Sequence, residues 1–186
     1  MSGVEDSGWR NNLIEDLEGV RQVLAATKRV AVLGIRSEQH SSRPAFYVPQ
    51  YLASAGLQVI PVPVYDAHLD EILGQKVFRR LADIPGELDL VDVFRRSQDI
   101  PSHLDDMLAK RPRVVWFQSG IRNDEVAETL ARAGIKVVQD RCLMVEHRSV
   151  IADAVSISMR SATKAYNESV SCSVCHNESK DPTARH

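Results

Sequence analysis

The chain has 186 residues, 44% hydrophobic and 26% charged, a length that fits one α/β domain with a full core. Its net charge of -2 gives no global pull toward nucleic acid or an anionic membrane surface. The opening stretch to Trp9 is neither basic nor apolar, the apolar runs are only strand-sized, and three cysteines make no disulfide framework. The cytoplasm is therefore the expected location, with no nucleic acid and no membrane among the partners.

In chain order, Leu13, Leu17, Val20 and Leu24 recur at helical spacing and predict an opening helix. Val30-Ala-Val-Leu-Gly34 reads as a buried parallel strand ending in a tight turn. Pro44 suits the first turn of a helix reaching about Ala55, and Pro49 inside it removes an internal hydrogen bond and predicts a kink. Leu57 to Val62 is the second strand, with its end expected soon after Ile60 because prolines follow. Residues 65–86 read as an irregular crossover, and Leu88 to Phe94 as the third strand. Ser102 and Asp105 resemble a capping box opening a helix to about Lys110. Arg113 to Phe117 is the fourth strand, Asn123 starts another helix, and Ile135 to Val138 is the fifth strand.

This alternation predicts an α/β, Rossmann-like three-layer fold around a five-stranded parallel sheet, with strand order 3-2-1-4-5. The domain should span 10–148. From 149 to 186 serine becomes frequent and aliphatics thin out, which predicts a weakly ordered tail.

In such sheets ligands bind beyond the carboxyl ends of the strands. Those ends carry Gly34-Ile-Arg-Ser37, Pro61-Val-Pro63, Phe94-Arg-Arg96 and Gln118-Ser-Gly120, with Arg36, Arg43, Arg95 and Arg96 on the same predicted edge. A helix N-terminus and guanidinium forks both favour phosphate. Gly34 stands alone where a dinucleotide fingerprint needs G-x-G-x-x-G, and no P-loop motif is present, so neither a nicotinamide cofactor nor a P-loop triphosphate is indicated.

Several strings carry a resemblance. They are Val30-Ala-Val-Leu-Gly34, Arg43-Pro-Ala-Phe-Tyr-Val-Pro-Gln-Tyr-Leu52, Leu73-Gly-Gln-Lys-Val77, Leu90-Val-Asp-Val-Phe-Arg95, Val115-Trp-Phe-Gln-Ser-Gly-Ile-Arg122 and Val138-Gln-Asp-Arg-Cys-Leu-Met-Val-Glu-His147. Over roughly 10–150 the chain resembles the small bacterial and archaeal CoA-binding domain proteins, a family similar to the nucleotide-binding domain of the succinyl-CoA synthetase alpha subunit. The resemblance implies that Gly34, Ile35, Arg36 and Ser37 contact the CoA phosphates, with Arg43 and Pro44 helping to hold them. It also implies that Pro61, Val62 and Pro63 border the adenosine end. Val93, Phe94 and Arg95, together with Gln118, Ser119 and Gly120, would then line the groove for adenine or pantetheine. Family members often read Pro-Val-Asn-Pro where this chain has Pro61-Val-Pro-Val64, so the contact at that loop differs. The synthetase's phosphorylated histidine belongs to a second domain without a counterpart in these residues, and His147 reads as a structural or helix-end residue.

Cys142 follows the last strand. It is either a small buried apolar residue or a thiolate, lowered by Arg141, that forms a mixed disulfide with CoA. Cys172-Ser-Val-Cys175-His176 matches the c-type haem attachment pattern and also offers three zinc ligands, with His186 as a fourth, while an unstructured dithiol tail is the plain alternative. The expected function is binding of coenzyme A or an acyl-CoA as a stand-alone, non-catalytic module. The alternatives are an enzyme using CoA thioesters through catalytic residues the sequence does not reveal, or a redox or metal protein acting through the tail. A protein partner or homo-oligomer stays open.

Overall fold

Short runs of branched aliphatic residues build the sheet. The computed structural model describes residues 8–65, 68–154, 156 and 159. Its strands are β1 (Arg29–Leu33), β2 (Gln58–Val62), β3 (Glu71–Ile72), β4 (Gln75–Lys76), β5 (Leu90–Val93), β6 (Val114–Phe117) and β7 (Lys136–Val138). Five of them form one parallel sheet in the order β2-β1-β5-β6-β7, while β3 and β4 make a separate antiparallel hairpin in the crossover after β2. β5 and β6 are buried at every position, as expected for parallel strands covered on both faces. The helices are α1 (Leu17–Ala26), α2 (Pro44–Ser54), α3 (Leu104–Lys110) and α4 (Asp124–Arg132).

The fold class is as expected, but the strand order is not 3-2-1-4-5. Counting only the large sheet, it runs second, first, third, fourth, fifth, because β5 pairs with β1 from Val30↔Leu90 to Leu33↔Val93. Pro61 explains the difference. The strand does not stop at Ile60 but continues through Pro61 to Val62. Along β2, Gln58 and Val62 bond toward β1, so Pro61 turns its backbone outward, and its carbonyl accepts the Phe78 N–H at 2.9 Å. A further parallel strand on that side would need a Pro61 N–H that does not exist, so β2 belongs at the edge.

The opening helix is shorter than the heptad-like spacing suggests. Asp16 caps α1 by accepting the Gly19 N–H at 2.7 Å, and its buried face is Val20, Val23 and Leu24, with Leu17 left 56% exposed. Leu13 lies before the helix and bridges Val137 in parallel, while the Ile14 N–H donates to the Val137 carbonyl. That segment covers the open edge of β7. Ser102 forms no capping box: its hydroxyl donates to the Asp99 carbonyl inside a 3-10 stretch, Ser97–His103, that leads into α3.

Pro44 opens α2 as expected, and the helix continues through Pro49. Without a Pro49 N–H, the Ala45 carbonyl loses its partner one turn on. That carbonyl instead accepts the Arg36 N–H at 3.0 Å, so the proline gap ties the loop after β1 to the start of α2.

The chain divides into two compact units, Met1–His147 and Arg148–His186. In the first, residues 143–147 begin a helix after β7; in the second, residues 148–154, 156 and 159 are helical. No helix among the described residues is long and apolar enough to cross a membrane.

Candidate functional site

The carboxyl ends of β1, β5 and β6 open into a cleft of about 680 Å³. Of the residues singled out from the sequence, Arg36, Arg43, Pro44, Phe94, Arg95, Gln118, Ser119 and Gly120 line it, and Arg96 joins them. Four guanidinium groups thus face one cavity whose lining includes no carboxylate. Gly34, Ile35, Ser37, Pro61, Val62, Pro63 and Val93 are buried and do not line it. One of them shapes the rim.

Gly34 shows how. Its φ is +88°, and a Cβ there would meet the Phe94 carbonyl oxygen at 2.5 Å and Arg95 Cδ at 3.1 Å. Only glycine lets the end of β5 and the Arg95 side chain cross this turn. The Gly34 N–H is already bonded to the Val62 carbonyl, the Arg36 N–H to Ala45 and the Arg43 N–H to His40. Fewer amides are therefore free for an anion than the turn suggests. Positive potential comes mainly from the guanidinium groups and the α2 dipole, whose N-terminal Ala45 lines the cleft.

Arg95 is the least exposed of these cations, at 9%. Its Nε is buried and has no hydrogen-bond partner, and its Nη2 reaches Asp99 at only 3.4 Å. Asp99 bonds more closely to exposed Arg96, at 2.8 Å, and that guanidinium holds its carboxyl below the usual range. Tyr65, which the sequence reading passed over, places its ring under both Arg36 and Arg95, with the guanidinium carbons 4.2 and 5.0 Å from its centroid. The buried Nε of Arg95 is thus a donor still open to an anion.

Gln118 is buried, and its polar atoms are engaged. The amide nitrogen donates to both carboxyl oxygens of Asp92, at 2.8 and 3.0 Å, and its oxygen accepts the Leu143 N–H at 3.4 Å. Asp92 is fully buried within β5, and desolvation pushes its carboxyl up to about 8. The signal was available in Leu90-Val-Asp-Val93, where one acid interrupts a strand that reads as buried on both faces.

Cys142 is half-buried and lines the cleft. The Arg141 guanidinium is bound to Glu146 at 3.0 Å and to the Glu15 carbonyl at 2.8 Å rather than being left for the thiol. His147 is a buried packing residue: its Nδ1 lies 3.1 Å from the Tyr51 hydroxyl, and burial lowers its pKa. Cys172, Cys175, His176 and His186 lie outside the described residues. Among the described residues no group of three or more His, Cys, Asp or Glu side chains is placed to hold a metal ion.

The family model for the CoA binding domain matches residues 28–148. The chain belongs to the CoA-binding domain family. It is 34% identical over 128 residues to the uncharacterized protein YneT of Bacillus subtilis, a match covering 69% of this chain and 91% of that protein. A solved Thermus thermophilus structure is 42% identical with a TM-score of 0.67, covering 73% of this chain and 99% of that one. A hypothetical protein from Pyrococcus horikoshii is 28% identical with a TM-score of 0.66, covering 74% and 93%. The matched span holds all four arginines of the cleft, so the CoA-binding domain and the cationic rim coincide along the chain.

Proposed function

We propose that this protein binds coenzyme A in the cationic cleft and acts as a stand-alone binding module without turnover. The proposed module is residues 10–148. The observation that carries this reading is the Arg95 guanidinium, 9% exposed with an unpartnered Nε, on a cleft it shares with Arg36, Arg43 and Arg96 and no carboxylate. Asp99 and the Tyr65 ring offset part of the cost of holding this charge away from water, the buried Nε stays without a hydrogen bond, and a bound anion would supply one. Arg36 and Arg43 would flank the diphosphate beside the N-terminus of α2, while Phe94, Ser119 and Gly120 give the less charged wall for adenine or pantetheine. Gly34 supports that wall by letting the end of β5 and the Arg95 side chain cross the turn after β1.

Calorimetric titration with CoA, dephospho-CoA and NAD side by side tests the reading. CoA should bind saturably and more tightly than NAD, with a loss on removing the 3′-phosphate. Equal affinity for NAD, or no binding of CoA, would refute it, and hydrolysis of acyl-CoA thioesters by the pure protein would refute the non-catalytic part.

A further inference from the structure

A second cleft, of about 730 Å³, lies beside the first, and the two share Ser119 and Cys142. One wall comes from the segment ahead of α1, including Trp9 and Leu13, which falls outside the matched span of 28–148. That wall is firmly held. The Arg10 and Arg132 guanidinium groups each lie 4.6 Å from the Trp9 ring centroid, and the Asn12 amide donates to the Ala131 carbonyl at 2.9 Å. Leu13, Ile14, Ala127, Val137 and Val145 give the cavity an apolar strip among its charged residues. Its volume falls within the range of small-ligand sites, about 300–1,000 Å³.

The two clefts are opposite in charge. Four guanidinium groups and no carboxylate line the first, whereas five carboxylates and two guanidinium groups line the second. Both of those cations are paired, Arg122 with Asp124 at 2.8 Å and Arg141 with Glu146 at 3.0 Å, and Glu128 pairs with Arg132 at 2.8 Å, so three of the five carboxylates sit in ion pairs. CoA has a matching polarity: all its phosphates lie toward the nucleotide, and the pantetheine arm and thiol carry no charge at neutral pH.

We propose that the second cleft receives the acyl group of a CoA thioester whose nucleotide occupies the first, the thioester passing between them at Ser119 and Cys142. The apolar strip fits a short uncharged acyl group, and the excess of carboxylates around it disfavours one that ends in a carboxylate. This rests on the CoA reading of the first cleft.

The test is calorimetric titration of the full chain with CoA, butyryl-CoA and succinyl-CoA, repeated on Val145→Trp and Glu15→Gln. Val145 is 57% exposed on the cleft wall, so a larger side chain fills the cavity without entering the core. In the wild type, butyryl-CoA should bind about tenfold more tightly than CoA, about 1.4 kcal/mol, and succinyl-CoA no more tightly than CoA. Val145→Trp should erase the butyryl advantage while leaving the affinity for CoA unchanged. Glu15→Gln should strengthen succinyl-CoA binding severalfold with CoA again unchanged. Failure of CoA itself to bind would sink the underlying reading. Normal CoA binding with equal affinities for all three ligands, or a butyryl advantage that survives Val145→Trp, would overturn only the acyl site. A succinyl-CoA affinity equal to that of butyryl-CoA would overturn the charge selection.

Discussion

Replacing Gly34 by alanine should cost far more than the same change at Gly120, although both glycines sit at the carboxyl ends of strands with positive φ. At Gly120, φ is +76° and no heavy atom lies within 4 Å of a built Cβ, so only the left-handed backbone is penalised, by about 1 kcal/mol. At Gly34 the same penalty applies, and the Phe94 carbonyl oxygen at 2.5 Å and Arg95 Cδ at 3.1 Å must also move. Overpacking of this kind adds about 1–3 kcal/mol, and here a backbone oxygen has to shift, so Gly34→Ala should lose about 3–4 kcal/mol in all. With a urea m-value of about 2 kcal/mol per molar, the midpoint falls by about 1.5–2 M, against about 0.5 M for Gly120→Ala. Because Arg95 is the group displaced, affinity for CoA should fall as well, measured at a urea-free temperature where both variants are folded. Equal midpoint shifts for the two alanines would show that the crossing of the β1 turn by β5 is not what requires glycine.

Arg95→Met keeps an unbranched apolar stem and removes the guanidinium, and it should weaken CoA binding about 10- to 100-fold by titration, the scale of one charge-assisted hydrogen bond. An effect under threefold would refute the role given to this residue. Affinity for CoA should also fall as salt is raised, and less steeply in Arg95→Met; parallel slopes for the two proteins would contradict an electrostatic grip. Asp92 gives a pH signature. Its carboxyl is raised from 3.8 to about 8, so between those values the folded chain holds a proton that the unfolded chain releases. Wild-type stability therefore falls as pH rises through that window and levels off above it, whereas Asp92→Asn does not titrate. The stability of Asp92→Asn relative to wild type should climb from pH 4 to pH 8 by up to about 5 kcal/mol in urea denaturation, and a flat difference would refute the neutral, buried carboxyl.

Element type was written in local residue patterns, and for most elements those patterns decided the outcome. β1, β5, β6 and β7 fall within a residue or two of the apolar runs that predict them, and Asn123 caps α4 by accepting the Val126 N–H at 3.0 Å. Strand order was harder because it depends on which side of β1 each neighbour takes. The deciding residue, Pro61, was visible but was read as a strand end rather than as an edge marker. Leu13 fitted a helical spacing and instead joined β7, since a backbone partner 124 positions away outcompeted local periodicity.

Of the site, the residues that project from strand ends were legible: the four arginines, Phe94 and the turn after β6 all reach the cleft. What stayed hidden was which of the predicted loop residues are buried. Gly34 and Ser37 sit in the expected loop, but the loop folds inward, and its amides bond to other carbonyls before any ligand arrives. Tyr65 lies in a crossover with no periodic pattern, so nothing local placed its ring beneath two guanidinium groups.

Pro49 has a mechanical consequence. Because the carbonyl it leaves unmatched is the one that holds Arg36, the loop after β1 and the first turn of α2 cannot move independently. A nucleotide gripped by Arg36 on one side and by Arg43 on the other would meet a single stiff bracket, not two swinging arms. Such stiffness lowers the ordering entropy lost on association. Restoring an N–H at position 49 would let the helix reclaim its own carbonyl and set the bracket's two halves loose.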